Sequence, residues 1–78
     1  MKTKMKMTKE WARIYKAQCN EEIYMTKYNF AKAVRAVVPG APDNVLEGLA
    51  IYDPEARRVI RYFERKRRYY ERLLRHPQ

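Results

Sequence analysis

Cysteine, histidine and glycine are nearly missing from this chain of 78 residues. Cys19 stands alone, so no intrachain disulfide and no multi-cysteine metal site is expected, and a lone thiol fits a reducing compartment. His76 is the one histidine and lies far along the sequence from Cys19, so no thiol–imidazole pair is in view. Gly40 and Gly48 lack the spacing of a phosphate-cradling loop. Acids are scarce, nine against eighteen lysines and arginines, and they are scattered, which argues against an oxygen-ligand cation site. The expectation is therefore a protein that is not an enzyme, with no cofactor, no metal and no small-molecule substrate. No apolar run approaches the roughly 18 residues that a membrane crossing needs. No apolar stretch follows the first lysines, as a secretory signal would require. Those absences point to an intracellular protein without a membrane partner.

What the chain does hold is apolar surface and positive charge. An apolar fraction of 46% is ordinary for a globular protein and too high for full disorder. A single short domain buries only about 60% of its unfolded surface, so its core is marginal. Help is expected from a second copy, a bound polymer or dense helix packing. Seven tyrosines supply apolar area with a hydroxyl, which suits wet interfaces.

The charge is segregated. Residues 1–10 set Lys2, Lys4, Lys6 and Lys9 against Glu10 alone. Residues 11–53 hold five basic and five acidic side chains, a balance of zero. Residues 54–78 hold nine basic and three acidic, a balance of +6. A neutral middle with a basic arm on one side and a basic helix on the other is the footprint of a nucleic-acid binder.

Residues 1–7 alternate lysine with threonine or methionine. They read either as an unstructured basic arm or as a short strand with Lys2, Lys4 and Lys6 on one face. From residue 8 to 78 the chain reads as one helical domain. Thr8 is a good N-cap, and Trp11, Ile14, Tyr15 and Gln18 follow helical spacing as a packing face. Asn20-Glu21-Glu22 interrupts that face and is expected to end or bend the helix. Thr26 is the next candidate cap, followed by Phe30, Ala33, Val34 and Val37. Pro39-Gly40 stops this second helix. Asn44 with Glu47 three residues on is a capping-box pattern for a short third. Asp53-Pro54-Glu55 is the strongest start signal: an N-cap, a proline at the first helical position and an acid in the first turn. The fourth helix should run to about Arg75. The fold class expected is all-α: a small bundle of three to four helices, the last of them long and rich in arginine.

That last helix carries the functional signal. At about 100° per residue, Arg57, Arg58, Arg61, Arg65, Arg68, Arg72 and Arg75 fall inside an arc of roughly 100°. Ala56, Val59, Ile60, Phe63, Tyr70 and Leu74 fall on the opposite side. The stripe runs about 25 Å at roughly 1.5 Å per residue, a length that suits a polymer's phosphates better than a small anion. Glu64 and Glu71 reach Arg68 and Arg75 at i+4, leaving five arginines without a helical acid. Eight of the nine basic side chains here are arginine, which makes bidentate phosphate contacts where lysine would serve solubility. Tyr62 and Tyr69 lie on one shoulder of the stripe, where they cover the core's edge or meet a phosphate, sugar or base. Lys66 and Arg67 make the C-terminal half charged nearly all round, and that half is expected to protrude, with Tyr70 and Leu74 docking on a second copy.

The reading is an architectural or packaging protein that coats a nucleic acid, DNA more than RNA, with little sequence preference. Its site would be the seven arginines, Lys2, Lys4, Lys6 and Lys9, with Tyr62 and Tyr69. It would act as a homo-oligomer in a nucleoid or inside a virion. Two alternatives use the same chemistry. Residues 2–38 resemble the ribbon-helix-helix family in their order: an alternating strand from Lys2 to Met7, a helix, a connection, and a helix opening at Thr26. That resemblance implies a dimeric transcription regulator whose Lys2, Lys4 and Lys6 face bases. A structural subunit of a ribonucleoprotein such as the ribosome is the other, since a basic helix with an arm also suits folded RNA. A stripe that docks an acidic protein is a further class.

Overall fold

The computed structural model describes residues 8–75, so the arm with Lys2, Lys4 and Lys6, together with His76, lies outside the described residues. Within them the regular structure is all helical. Helix α1 spans Lys9–Arg35, a short α2 spans Asp43–Gly48, a 3-10 turn covers Leu49–Tyr52, and α3 spans Pro54–Arg75. The all-α expectation holds, with no strand among the described residues.

Helix α1 starts where expected: the Thr8 hydroxyl oxygen accepts from the Trp11 amide at 3.2 Å, and Glu10 sits in the first turn. It does not stop where expected. The reading that divided this segment at Asn20-Glu21-Glu22 and reopened it at Thr26 is corrected, because one helix of 27 residues runs through. No glycine or proline lies in that stretch, and Asn20, Glu21 and Glu22 are all exposed, so their polarity costs the helix nothing. Ile23 resumes the buried side directly after them. Thr26, instead of capping, donates its hydroxyl to the Glu22 carbonyl at 2.8 Å, the back-bonding available to a mid-helix threonine. A helix this long draws its stability from tertiary packing more than from propensity.

The chain reverses through Gly40, whose φ of 96° is in the left-handed region that favours glycine. The Asn44–Glu47 capping box is not formed. Helix α2 begins two residues earlier with Pro42 at its N-cap, and Asp43 takes the Arg35 guanidinium instead. Leu46 and Ala50 tuck this connection against the hairpin, both buried. Asp53 then caps α3 as its sequence promises: the Ala56 amide donates to its carboxylate at 3.0 Å. Asp53→Ala should cost about 1 kcal/mol, while Asp53→Asn should cost little, read as a shift of the urea midpoint at unchanged slope.

Helices α1 and α3 pack side by side and antiparallel. Tyr15 meets Tyr70 with ring centres 5.5 Å apart, Lys16 meets Glu71 at 3.8 Å, and Arg67 donates to the Asn20 side chain at 2.9 Å. These contacts correct the expected protrusion: the C-terminal half of α3 lies along α1 of its own chain, and Tyr70 is taken up by Tyr15. The packing face of α1 also differs from expectation. Ala12, Cys19, Ile23 and Ala31 are buried, whereas Trp11 and Ile14 remain about half exposed. Small side chains on the contact line let two helix axes approach closely, and the larger aromatic groups then spread to the flanks. Ala56 and Ile60 answer from α3, with Phe30 and Phe63 packed against the same cluster, while Val59 stays partly exposed. The result is a rod, 56 × 23 × 16 Å, with a Cα radius of gyration of 16.4 Å against about 11–12 Å for a compact chain of this length.

Candidate nucleic-acid interface

Helix phase decides where the arginines go. Ala56 and Ile60 turn toward α1, so residues about 140° round the wheel turn away from it. Arg57, Arg58, Arg61, Arg65, Arg68, Arg72 and Arg75 are all exposed on that outer side of α3. Among the described residues, ion pairs form between Lys16 and Glu71, Arg35 and Asp43, and Arg67 and Glu71. None of the seven stripe arginines takes part in them. The expected i+4 pairs, Glu64 with Arg68 and Glu71 with Arg75, are not made. Glu71 turns inward instead, to Lys16 at 3.8 Å and to Arg67 at 3.9 Å. This leaves the outer face with less compensation than the spacing alone suggests.

Arg67 shows what a structural arginine looks like in the same helix. It is half-buried between the helices, donates to Asn20, and lies 3.9 Å from Glu71. Its Nε is shut off from solvent without a hydrogen-bond partner. The seven outer arginines share none of these features.

Tyr62 and Tyr69 flank the stripe as expected, about half exposed. Tyr62 stands edge-on to Phe63 at 5.0 Å, and Tyr69 edge-on to Tyr70 at 5.3 Å, so each ring rests on the core's rim. The Lys66 ammonium sits over the Tyr62 ring, 5.5 Å from its centre. Lys66 is held above its ordinary pKa, first by hydrogen bonding to Tyr62 and then by the charge that the Tyr62 and Tyr70 hydroxyls take on when they ionise in the same alkaline range.

No family model, curated protein or solved structure matches this chain. The site therefore rests on its own geometry. The antiparallel hairpin brings the start of α1, where Lys9 is half-buried, to the end of the rod where α3 finishes at Arg75. Lys2, Lys4 and Lys6 lie outside the described residues. Cys19 is buried at 4% exposure, and burial pushes its thiol pKa up, with Lys66 and Arg67 pulling weakly the other way. That is the setting of an inert packing thiol rather than an activated one. No helix is long and apolar enough to cross a membrane, and no group of three or more metal-ligating side chains forms, both among the described residues.

The sequence reading missed the inner side of the rod. Trp11, Tyr15 and Met25 on α1 and Val59 and Tyr62 on α3 flank a groove between the helices. The signal was present in the aromatic content of α1. Trp11 and Tyr15 follow the spacing of a packing face, and periodicity marks such a face without saying how deep each residue sits.

Proposed function

We propose that this chain binds nucleic acid through the phosphates, as an architectural or packaging protein with little sequence preference. One observation carries the reading: seven arginines stand exposed on one outer face of α3, none within 4.0 Å of a carboxylate among the described residues. Packing in the hairpin does not need them, because Arg67, Lys16 and Glu71 already bridge the helices. Guanidinium offers bidentate bonds to phosphate oxygens, and the stripe spans about 27 Å at roughly 1.5 Å per residue. Tyr62 and Tyr69 add hydroxyls and ring faces at one shoulder, and Lys9 with Lys2, Lys4 and Lys6 would extend the contact past Arg75. Base readout has little to work with, since Asn20 is held by Arg67 and the stripe has no Asn or Gln of its own. DNA is preferred over RNA as partner, and a nucleoid or a virion interior as setting.

The test is the salt dependence of duplex binding. If all seven arginines meet phosphates, log K should fall against log salt with a slope near −6, about −0.9 per contact. Random duplexes should bind alike. A site preference of about 10³ or more would speak for a regulator instead. The ribbon-helix-helix order is disfavoured because α1 runs unbroken through the place where its connection would lie. Preference for structured RNA over duplex would favour a ribonucleoprotein subunit, and no binding to either would favour an acidic protein partner.

A further inference from the structure

The inner side of the hairpin is a second surface, distinct from the stripe. A groove of about 620 Å³ runs between α1 and α3, lined by Tyr15, Cys19, Glu22, Met25, Lys66 and Tyr70 among others. A groove of about 500 Å³ continues it past Asn29 and Val59. The apolar side chains on this side are large and open: Trp11, Met25, Val59 and Tyr62 are each between 39% and 49% exposed. Meanwhile the hairpin's own core holds one large side chain that is fully buried, Ile60. A chain with so little interior and so much apolar surface on one side is short of a partner.

We infer that a second copy of this chain covers the groove, in an antiparallel four-helix dimer whose two-fold axis runs along the helices. The charges on this side select that arrangement. Glu22 of α1 and Lys66 of α3 both line the groove, at nearly the same height, since Arg67 pairs with Asn20 one residue along α3 and two along α1. A two-fold axis parallel to the helices lays α1 of each copy over α3 of the other. Glu22 then meets Lys66 of the partner subunit, and the contact occurs twice. An axis across the helices would lay α1 on α1 and set Glu22 against Glu22 of the partner subunit. The parallel axis also makes every neighbouring pair of helices antiparallel, as in up-and-down bundles. The face from Trp11 to Asn29 measures about 27 Å along and about 20 Å across two helices, on the order of 540 Å² per copy. Two copies would bury about 1,100 Å², above the ~1,000 Å² expected of a specific interface.

The arrangement gives the stripe a use. Each stripe faces away from its own α1 and away from the groove, so the two stripes of the dimer point outward on opposite flanks. On the phosphate reading above, one dimer joins two nucleic-acid segments instead of wrapping one.

Sedimentation equilibrium without nucleic acid tests the dimer alone. The native chain should associate, with Trp11 emission shifting to the blue as concentration rises. Glu22→Lys and Lys66→Glu each set like charges together twice and should weaken association about tenfold or more, with circular dichroism unchanged. Mixing the two variants restores opposite charges at both contacts and should restore association. A native chain that stays monomeric at high concentration, single variants that associate as tightly as the native chain, or a mixture that does not recover would overturn the proposal. A second assay separates the two readings: bead-tethered duplex should retain a labelled free duplex with the native chain and with the mixture, while each single variant binds duplex without joining two. A native dimer that binds no duplex would remove the phosphate reading and leave the dimer standing.

Discussion

Replacing Arg61, Arg65, Arg68 and Arg72 with glutamine should lower duplex affinity on the order of 10³-fold at ~0.1 M salt, with the salt slope falling by about 3.6. The two figures have one origin. Each phosphate neutralised adds about 0.9 to the slope, and ~0.1 M lies one decade below the 1 M reference, so four lost contacts cost about 3.6 decades. The fold should survive. Glutamine and arginine have nearly the same helix propensity, all four side chains are exposed, and none pairs with a described carboxylate. Stability should hold or rise slightly, because Arg57–Arg61–Arg65 and Arg68–Arg72 repel at i+4 by a few tenths of a kcal/mol each. Fluorescence anisotropy on a labelled random duplex reads the affinity, and circular dichroism reads the helix. Helicity lost with the arginines would make the stripe a structural element. Affinity retained without them would place the binding face elsewhere. Arg67→Gln is the matched contrast: it should disturb the hairpin, where Arg67 bonds Asn20, more than it disturbs binding.

Local signals and partner-dependent ones were not equally readable in this sequence. Asp53-Pro54-Glu55 announced α3 to the residue, because a cap, a proline and an acid act within one turn and need no neighbour. The outward set of the arginines was equally plain, since charge and period fixed which side faced solvent. The continuity of α1 was not readable. Asn20-Glu21-Glu22 and Thr26 looks like an end and a beginning when only the chain is in view. It becomes part of one unbroken helix once Cys19 and Ile23 carry the buried contact on either side of those polar residues. The depth of each apolar residue was hidden for the same reason. Trp11 and Ala12 are neighbours, and hydropathy favours Trp11 for the interior. The close approach of two helices admits Ala12 and turns Trp11 aside. Side-chain volume at a contact line depends on the partner's surface, and one sequence segment does not state it. The pairing of Glu71 shows the rule again: spacing offered Arg75, and the packed neighbour Lys16 drew it inward.

Ile60→Ala should cost about 2–5 kcal/mol, enough to unfold much of the protein. Ile60 is 1% exposed and is the largest side chain sealed from solvent. It joins Ile23, Ala50 and Ala56 in one cluster with Phe30 and Phe63 against it, so truncation opens a cavity where α1, the 3-10 turn and α3 meet. A domain of this length has a total stability of roughly 4–12 kcal/mol, and each kcal/mol moves the melting temperature by about 4–8 °C. The expected loss is therefore about 8–40 °C in a thermal melt followed at 222 nm, run at a concentration low enough to keep copies apart. Val59→Ala, one residue away and 39% exposed, should cost under about 1 kcal/mol in the same melt. The comparison measures the rotational phase of α3. One residue is about 100° of turn, so a helix set with Val59 inward would reverse the two results. It would also swing the arginine stripe off the outer face, and with it the case for a phosphate-binding surface. A large loss at Ile60 with a small one at Val59 fixes that phase without any nucleic acid present.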